Sequence, residues 1–229
     1  IKLDSSVSSN PNSPMVGRNS YKLIEDATNS TTRMYLVAPI LDAKKYTQSF
    51  FAKKGERRYV QIAFGGKFSS VQWANFDLEE GIVSLDNGGV NAEIEDYGNG
   101  WFKCSASSTS TVTSTEAFYI GVVNRANAVR FETYQGDGTS GIYIFGAQVE
   151  EGYHSTSYIS TDGGQVTRFD DYVSKDNLEN YINSSVGVLY AEFNLGNVSE
   201  TSRYLTLSDG TISNRVCIYI ADNGSDLFA

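Results

Sequence analysis

The sequence predicts an all-β fold, two sheets packed as a sandwich with Greek-key or jelly-roll wiring, on three observations. Apolar and polar residues alternate in short runs of period 2, with almost no helical period. Gly, Asn, Asp and Ser clusters interrupt those runs about every ten residues. A 40% hydrophobic content, with 15 Tyr and 12 Phe among 229 residues, supplies enough apolar side chain for a core.

The elements follow in order. Residues 46–55 read as a strand and turn. Residues 57–68 put Val60, Ile62 and Phe64 on one face and Tyr59, Gln61 and Ala63 on the other. Residues 70–81 form a strand closing on an acidic turn, and 82–89 a strand ending in Asn87-Gly88-Gly89. Residues 90–109 carry two strands around Tyr97-Gly98-Asn99-Gly100. Strands at 116–124, 128–138 and 141–152 complete the set. The expected core is Phe50, Val60, Ile62, Phe64, Phe118, Ile120, Val122, Phe131, Ile142 and Ile144, shared by the two inner faces. The rhythm changes at 174–185, where Leu178, Tyr181 and Ile182 take helical spacing and Asp176 suits an N-cap, so a short helix within a linker is expected. Strand patterns resume at 186–196, 203–210 and 214–224. The expected division is therefore a first domain over 1–171, a linker with a short helix over 172–185, and the beginning of a second sandwich over 186–229. About 45 residues are too few to close that second sandwich, so the remainder is expected from chain beyond it or from another chain. Ile1 in place of Met points the same way, to a processed start or an earlier one.

Charge limits the partners. With 18 Lys and Arg against 27 Asp and Glu, the net charge is -9, which disfavours nucleic acid and anionic membranes and favours a neutral or weakly charged ligand. No stretch approaches the roughly 20 apolar residues of a membrane-spanning helix. Cys104 and Cys217 are far apart with no ligand spacing and read as two buried free thiols.

Several segments together resemble a known family. Gly146-Ala147-Gln148-x-Glu150-x-Gly152 is followed by Thr156-Ser157-Tyr158-Ile159-x-Thr161 and then by Thr167-Arg168-x-x-Asp171. With Tyr46-Thr47-x-Ser49-x-x-x-Lys53, Phe76-Asp77-Leu78-x-x-Gly81, the hairpin 98–105 and the segment 13–33, this set resembles the carbohydrate-binding-module-like, concanavalin A-like jelly-roll domains of phage tail-fibre and head-fibre virion proteins. Gly187, Leu189, Tyr190 and Glu192 resemble the opening of a second concanavalin A-like module. The resemblance implies a virion protein on the particle surface that binds host surface polysaccharide, contacts other virion proteins and forms a homo-oligomer, a trimer on a fibre. It also implies a chain that is not an enzyme. Two other readings stand beside it: a ligand-free virion scaffold, and a carbohydrate-binding module appended to a secreted bacterial polysaccharide-degrading enzyme.

Candidate site residues follow from the chemistry of sugars, which stack on aromatic faces while amides and carboxylates fix hydroxyls. Tyr119 and Tyr134 alternate against core-facing neighbours and are expected on an outer sheet face, joined by Tyr59 and Gln61. Tyr97 is a further aromatic candidate, Trp101 reads as core, and Trp73 fits either place. No cofactor is required; a structural calcium ion is the candidate, with Glu25, Asp26, Asp137 and Glu150 as ligands. Gly146 allows close backbone approach. Gln148 and Glu150 share a face and need partners if buried, and Arg168, offering a fork to a carboxylate, is expected to tie the tail to the first sheet. The closest carboxylate pair, Glu93 and Glu95, lies about 7 Å apart on one strand face, a spacing glycosidases use but solvated acidic edges also produce. His154 is the single histidine and reads as a solvated loop residue.

Overall fold

The computed structural model describes residues 2–3, 6–10, 12–68, 72–161, 164–167, 174–178, 181, 186–188, 190, 203–211, 213–220 and 227–228. The chain forms two compact units, Ile1–Ser160 and Thr161–Ala229.

The first unit is a β-sandwich in which every strand pairing is antiparallel. Strands are numbered in chain order. One sheet has the order β1 (Lys2–Leu3), β5 (Thr32–Ile40), β12 (Ser114–Val123), β7 (Tyr59–Phe64), β8 (Trp73–Asp77), β9 (Ile82–Asn87). The other has β10 (Asn91–Asp96), β11 (Trp101–Thr109), β6 (Lys45–Lys54), β14 (Gly141–Glu151), β3 (Ser20–Ile24), β2 (Ser6–Asn10). A short ladder joins β4 (Asn29–Ser30) to β13 (Tyr134–Gln135). The chain crosses between the two large sheets after β1, β5, β6, β9 and β11, and by way of β4 and β13 after β3 and β12, so the strands of each sheet come from distant stretches of sequence.

The inner faces carry the core the alternation predicts. Phe50, Ala52, Ile142 and Ile144 from one sheet meet Val60, Ile62, Phe64, Phe118, Ile120 and Val122 from the other in one cluster. Phe64, Phe68 and Phe118 pack with ring centroids 5.0–5.9 Å apart, in the tilted and edge-on geometries that aromatic quadrupoles prefer. Burial along β6 and β11 is nearly continuous rather than alternating, because other segments of chain cover the outer faces of these strands as well.

Three expectations need correction. Residues 128–138 are not a strand: apart from Tyr134–Gln135 they form turns that cross the outside of the first sheet. Phe131 consequently leaves the core, and it sits at φ 54° in the left-handed region. No helix occurs among the described residues of 174–185; Asn177 has φ 60°, and a single turn bond runs from the Tyr181 N–H to the Leu178 carbonyl. Right-handed helical spacing in the sequence cannot survive a left-handed residue in its first turn. Strands β3 and β5 carry no sequence assignment, since the exposed Leu36, Val37 and Pro39 blur the alternation of β5.

In the second unit β15 (Arg203–Ser208), β16 (Arg215–Ile220) and β17 (Leu227–Phe228) form a three-stranded antiparallel sheet. Cys104 is buried and Cys217 half-buried; both are free thiols. Arg168, Leu189 and Glu192 lie outside the described residues. Among the described residues no helix is long and apolar enough to cross a membrane.

Candidate functional site

On the first sheet, period-2 geometry turns Tyr35, Tyr119, Gln61, Trp73 and Asn75 outward, opposite the core-facing Ile62, Ala74, Phe76, Phe118 and Ile120. Residues 124–133 fold over this face, and the outward amides fasten them there. Gln61 is 1% exposed; its Nε2 donates to Asn75 Oδ1 (2.7 Å) and the Val129 carbonyl (3.2 Å), and its Oε1 accepts from the Phe131 N–H (3.0 Å). Asn75, fully buried, donates to the carbonyls of Ala126 (3.1 Å) and Ala128 (2.8 Å). Trp73 Nε1 donates to the Ala128 carbonyl at 3.3 Å. Arg125 grips Glu132 through two 2.8 Å bonds and closes the loop on itself. Gln61 and Trp73 thus hold a loop where a ligand was expected.

The other expected sheet-face residues separate. Tyr119 is half-buried between Tyr35 and Phe131, with ring centroids at 5.3 and 4.8 Å, and the Arg33 and Arg130 guanidiniums lie against its ring. Tyr59 lies directly opposite Asp77 in the β7–β8 ladder, with the Arg58 guanidinium 5.3 Å from its ring centre. Tyr134, paired with Ser30 of β4, is buried, 7% exposed, and its hydroxyl donates to Glu25 at 2.9 Å; burial pushes its phenol pKa up. It offers no ring face to solvent.

The carboxylates proposed for calcium already have donors. Glu25, 2% exposed, accepts from Arg57 Nε (2.7 Å), Arg57 Nη2, Tyr134 and the Asp137 N–H. Asp26 accepts from Thr28 and Ser30. Asp137 accepts from the Ser140 side chain and from the Ser140 and Thr139 amides, which together hold its carboxyl well below the usual range. Glu150 is bonded elsewhere, to Thr156 and Gln148. Among the described residues no three His, Cys, Asp or Glu side chains gather around a common point. This donor set does not fit a calcium ion, which needs six to eight convergent oxygens. Glu93 and Glu95 are both exposed on the edge strand β10, with Glu93 3.8 Å from His154 Nδ1.

The second sheet's outer face is covered differently. Phe51, Trp101 and Phe145 form an apolar cluster there with Met15, Tyr143 and Tyr158 packed on it. Trp101 is therefore buried, but outside the sandwich rather than between its sheets. The tail after β14 lies over this cluster. Gln148 Oε1 accepts the Ile159 N–H (3.0 Å), Glu150 accepts the Thr156 N–H (2.8 Å) and hydroxyl (2.6 Å), and Lys103 Nζ donates to the Thr156 carbonyl (2.8 Å). The polar residues of the Gly-Ala-Gln-x-Glu stretch are the fasteners of the tail. A bulge between Phe145 and Gln148 interrupts the β14–β6 ladder, and Gly146 within it has φ 60°. A side-chain carbon at Gly146 would stand 3.0 Å from the Tyr158 ring and 3.3 Å from Phe51.

The bulge also opens a groove. The β14–β3 ladder ends at Ile144–Tyr21, so Asn19, which would next face Gly146, diverges instead. Gly17 at φ 76° and the turn closed by the Arg18 N–H on the Met15 carbonyl carry the preceding loop away. The space left is about 380 Å³, lined by Gly17, Arg18, Asn19, Tyr21, Phe145, Gly146 and Tyr158. Sequence reasoning singled out only Gly146 here; Gly17, Arg18, Asn19 and Tyr21 fell within the segment 13–33, Phe145 within the strand 141–152 and Tyr158 within the tail, none of them assigned to a site.

No protein-family model matches the sequence, and no curated protein matches it. One similar solved structure is the crystal structure of the bacteriophage CBA120 tailspike protein 4 enzymatically active domain, at TM-score 0.38 and 12% identity over 64% of this chain. The chain spans 18% of that protein's length. The expectation that this chain is not an enzyme does not stand against a match that is itself an enzymatically active domain. At that TM-score and identity the likeness carries no argument for any reaction.

Proposed function

We propose that this chain is a module of a phage virion protein that binds carbohydrate on the host surface, and that the groove beside Gly146 is where it binds. The groove carries the reading. Its volume of about 380 Å³ falls in the range of small-ligand sites, roughly 300–1,000 Å³. It places an aromatic ring (Tyr158), an amide (Asn19) and a guanidinium (Arg18) around one opening, the mixture with which proteins stack on sugar rings and fix hydroxyls. The virion assignment, and with it a trimeric homo-oligomer in contact with other virion proteins, rests on the motif set of 13–171.

A glycan array probed with the full chain tests this. Binding to a defined glycan, reduced at least tenfold by Asn19→Ala or by Tyr158→Leu and unchanged by Tyr119→Ala, is the expected result. Binding lost on Tyr119→Ala instead would move the site to the first sheet and overturn the groove. Binding to no glycan would overturn the reading as a whole. Reducing-end release, assayed on any glycan that binds, reads whether the site also cleaves it.

A further inference from the structure

We infer that the groove selects an acidic saccharide, one whose carboxylate, sulfate or phosphate is held by Arg18; this inference rests on the carbohydrate-binding reading of the same groove. Three observations carry it. None of the residues lining the groove is acidic, although Asp and Glu outnumber Lys and Arg by 27 to 18 over the chain. Among the described residues Arg18 is therefore the single charge on the groove wall. Its side chain is exposed, and among the described residues no carboxylate or carbonyl accepts from its guanidinium.

The contrast with the other arginines of the sandwich sharpens this. Arg57 forks onto Glu25, Arg58 onto Asp77 and Arg125 onto Glu132, Arg33 lies against the Tyr119 and Phe131 rings, and Arg130 stacks on Phe131 and donates to the Phe64 carbonyl, its buried Nε alone making no hydrogen bond among the described residues. Each of these guanidiniums is packed onto the fold. Arg18 is held only through its backbone, by the turn at Met15, which fixes where its side chain starts without occupying its donors. A planar fork of five N–H donors with no internal acceptor is matched to a carboxylate or an oxyanion. Asn19 beside it can donate to and accept from hydroxyls, and Tyr158 supplies a ring for the sugar face. The chain's overall negative charge, which favours a neutral ligand when averaged over the molecule, is thus reversed locally at the groove.

The test is titration calorimetry of the full chain with three probes at low ionic strength: a galacturonic acid trisaccharide, the neutral galactose trisaccharide, and sodium sulfate. The expected result is that the acidic trisaccharide binds at least tenfold more tightly than the neutral one. Arg18→Gln should abolish that difference and leave the thermal midpoint unchanged, because the exposed side chain makes no hydrogen bond or ion pair among the described residues. Arg18→Lys should recover only part of it, since an ammonium lacks the fork. Binding of both sugars with equal affinity, lost in Tyr158→Leu and indifferent to Arg18→Gln, would overturn the inference while leaving the groove as a carbohydrate site. Binding of sulfate as tight as that of the acidic sugar would overturn the saccharide assignment, showing a bare anion site. Binding of none of the probes, alongside a blank glycan array, would overturn inference and function together.

Discussion

The two outer faces of the sandwich are both partly covered by chain, and the groove lies beside the cover of the second. On the first sheet, residues 124–133 are drawn down by amides. Gln61 and Asn75 are sealed, and the loop carbonyls are satisfied by side chains rising from the strands. On the second sheet, the tail is held by Gln148, Glu150 and Lys103 over an aromatic cluster, and a bulge at Gly146 makes the neighbouring strand diverge. The difference is one of what fills the break. Both sheets carry a bulge: opposite Asn75 the extra residue of β9, Ser84, turns its hydroxyl to the Asn75 and Ala126 carbonyls and helps fasten the loop, whereas beside Gly146 the neighbouring strand diverges and leaves a cleft.

The largest effect is expected where the cover of the first sheet is cut. Asn75→Ala removes donors to two buried carbonyls and one of the two acceptors of the Gln61 amide, so it should cost about 2–4 kcal/mol, read as a lower urea midpoint with an unchanged m-value. A loss below about 1 kcal/mol would mean the loop is held by its Arg125–Glu132 closure instead.

On the other face, Gly146→Ala combines a left-handed φ with a 3.0 Å approach to Tyr158. It should cost about 1–3 kcal/mol in thermal denaturation and narrow the groove. A neutral result would show that the bulge relaxes freely.

Glu150→Gln keeps shape but weakens the charge-assisted bonds to Thr156. We expect about 1–2 kcal/mol, with faster hydrogen exchange at the Thr156 and Ile159 amides and none at Phe131. Exchange rising on both faces together would erase the comparison.

Acid should loosen the first sheet at Asp77. Burial raises the Asp77 pKa, but the Arg58 fork and the Glu79 and Glu80 amides outweigh it, and the carboxyl is held below its ordinary 3.8. A folded pKa below the unfolded one adds stability that is complete above the unfolded value and is lost as the pH falls through the folded one. Asp77→Asn should therefore lower stability at pH 7 and flatten its fall below about pH 4, read as urea midpoints against pH; an unchanged acid limb would assign the fall to other carboxylates. The smallest effect is expected for Trp73→Phe, under about 1 kcal/mol in urea denaturation, because its 3.3 Å bond to the Ala128 carbonyl duplicates one that Asn75 already makes.

Much of the sandwich is legible in the sequence, for a local reason. Between 45 and 123, and again at 141–151, a strand buried on its inner face must alternate, so Val60, Ile62, Phe64, Phe118, Ile120 and Val122 declare their direction without reference to anything distant. The same rule fails where a segment crosses a sheet instead of joining it. Residues 128–138 alternate acceptably, yet their backbone groups are met by Gln61 and Asn75 side chains rather than by a neighbouring strand, and Phe131 lies outside the core.

The candidate site was less legible. Gln61 and Trp73 point outward as the alternation requires, but nothing local to them announces that residues 55 to 70 positions later will occupy that face. Tyr134 faces inward because Glu25, 109 residues away, awaits its hydroxyl. The groove depends on a ladder ending between β3 and β14, segments separated by more than a hundred residues, and on a loop that departs at Gly17. The sequence by itself determined the strands, the core-facing side of each, and the need of Gln148 and Glu150 for partners, since period, propensity and desolvation act over a few residues. Only the tertiary structure decided what covers each outer face, where the groove opens, and that the exposed Arg18 finds no acceptor among the described residues, because those depend on contacts between distant parts of the chain.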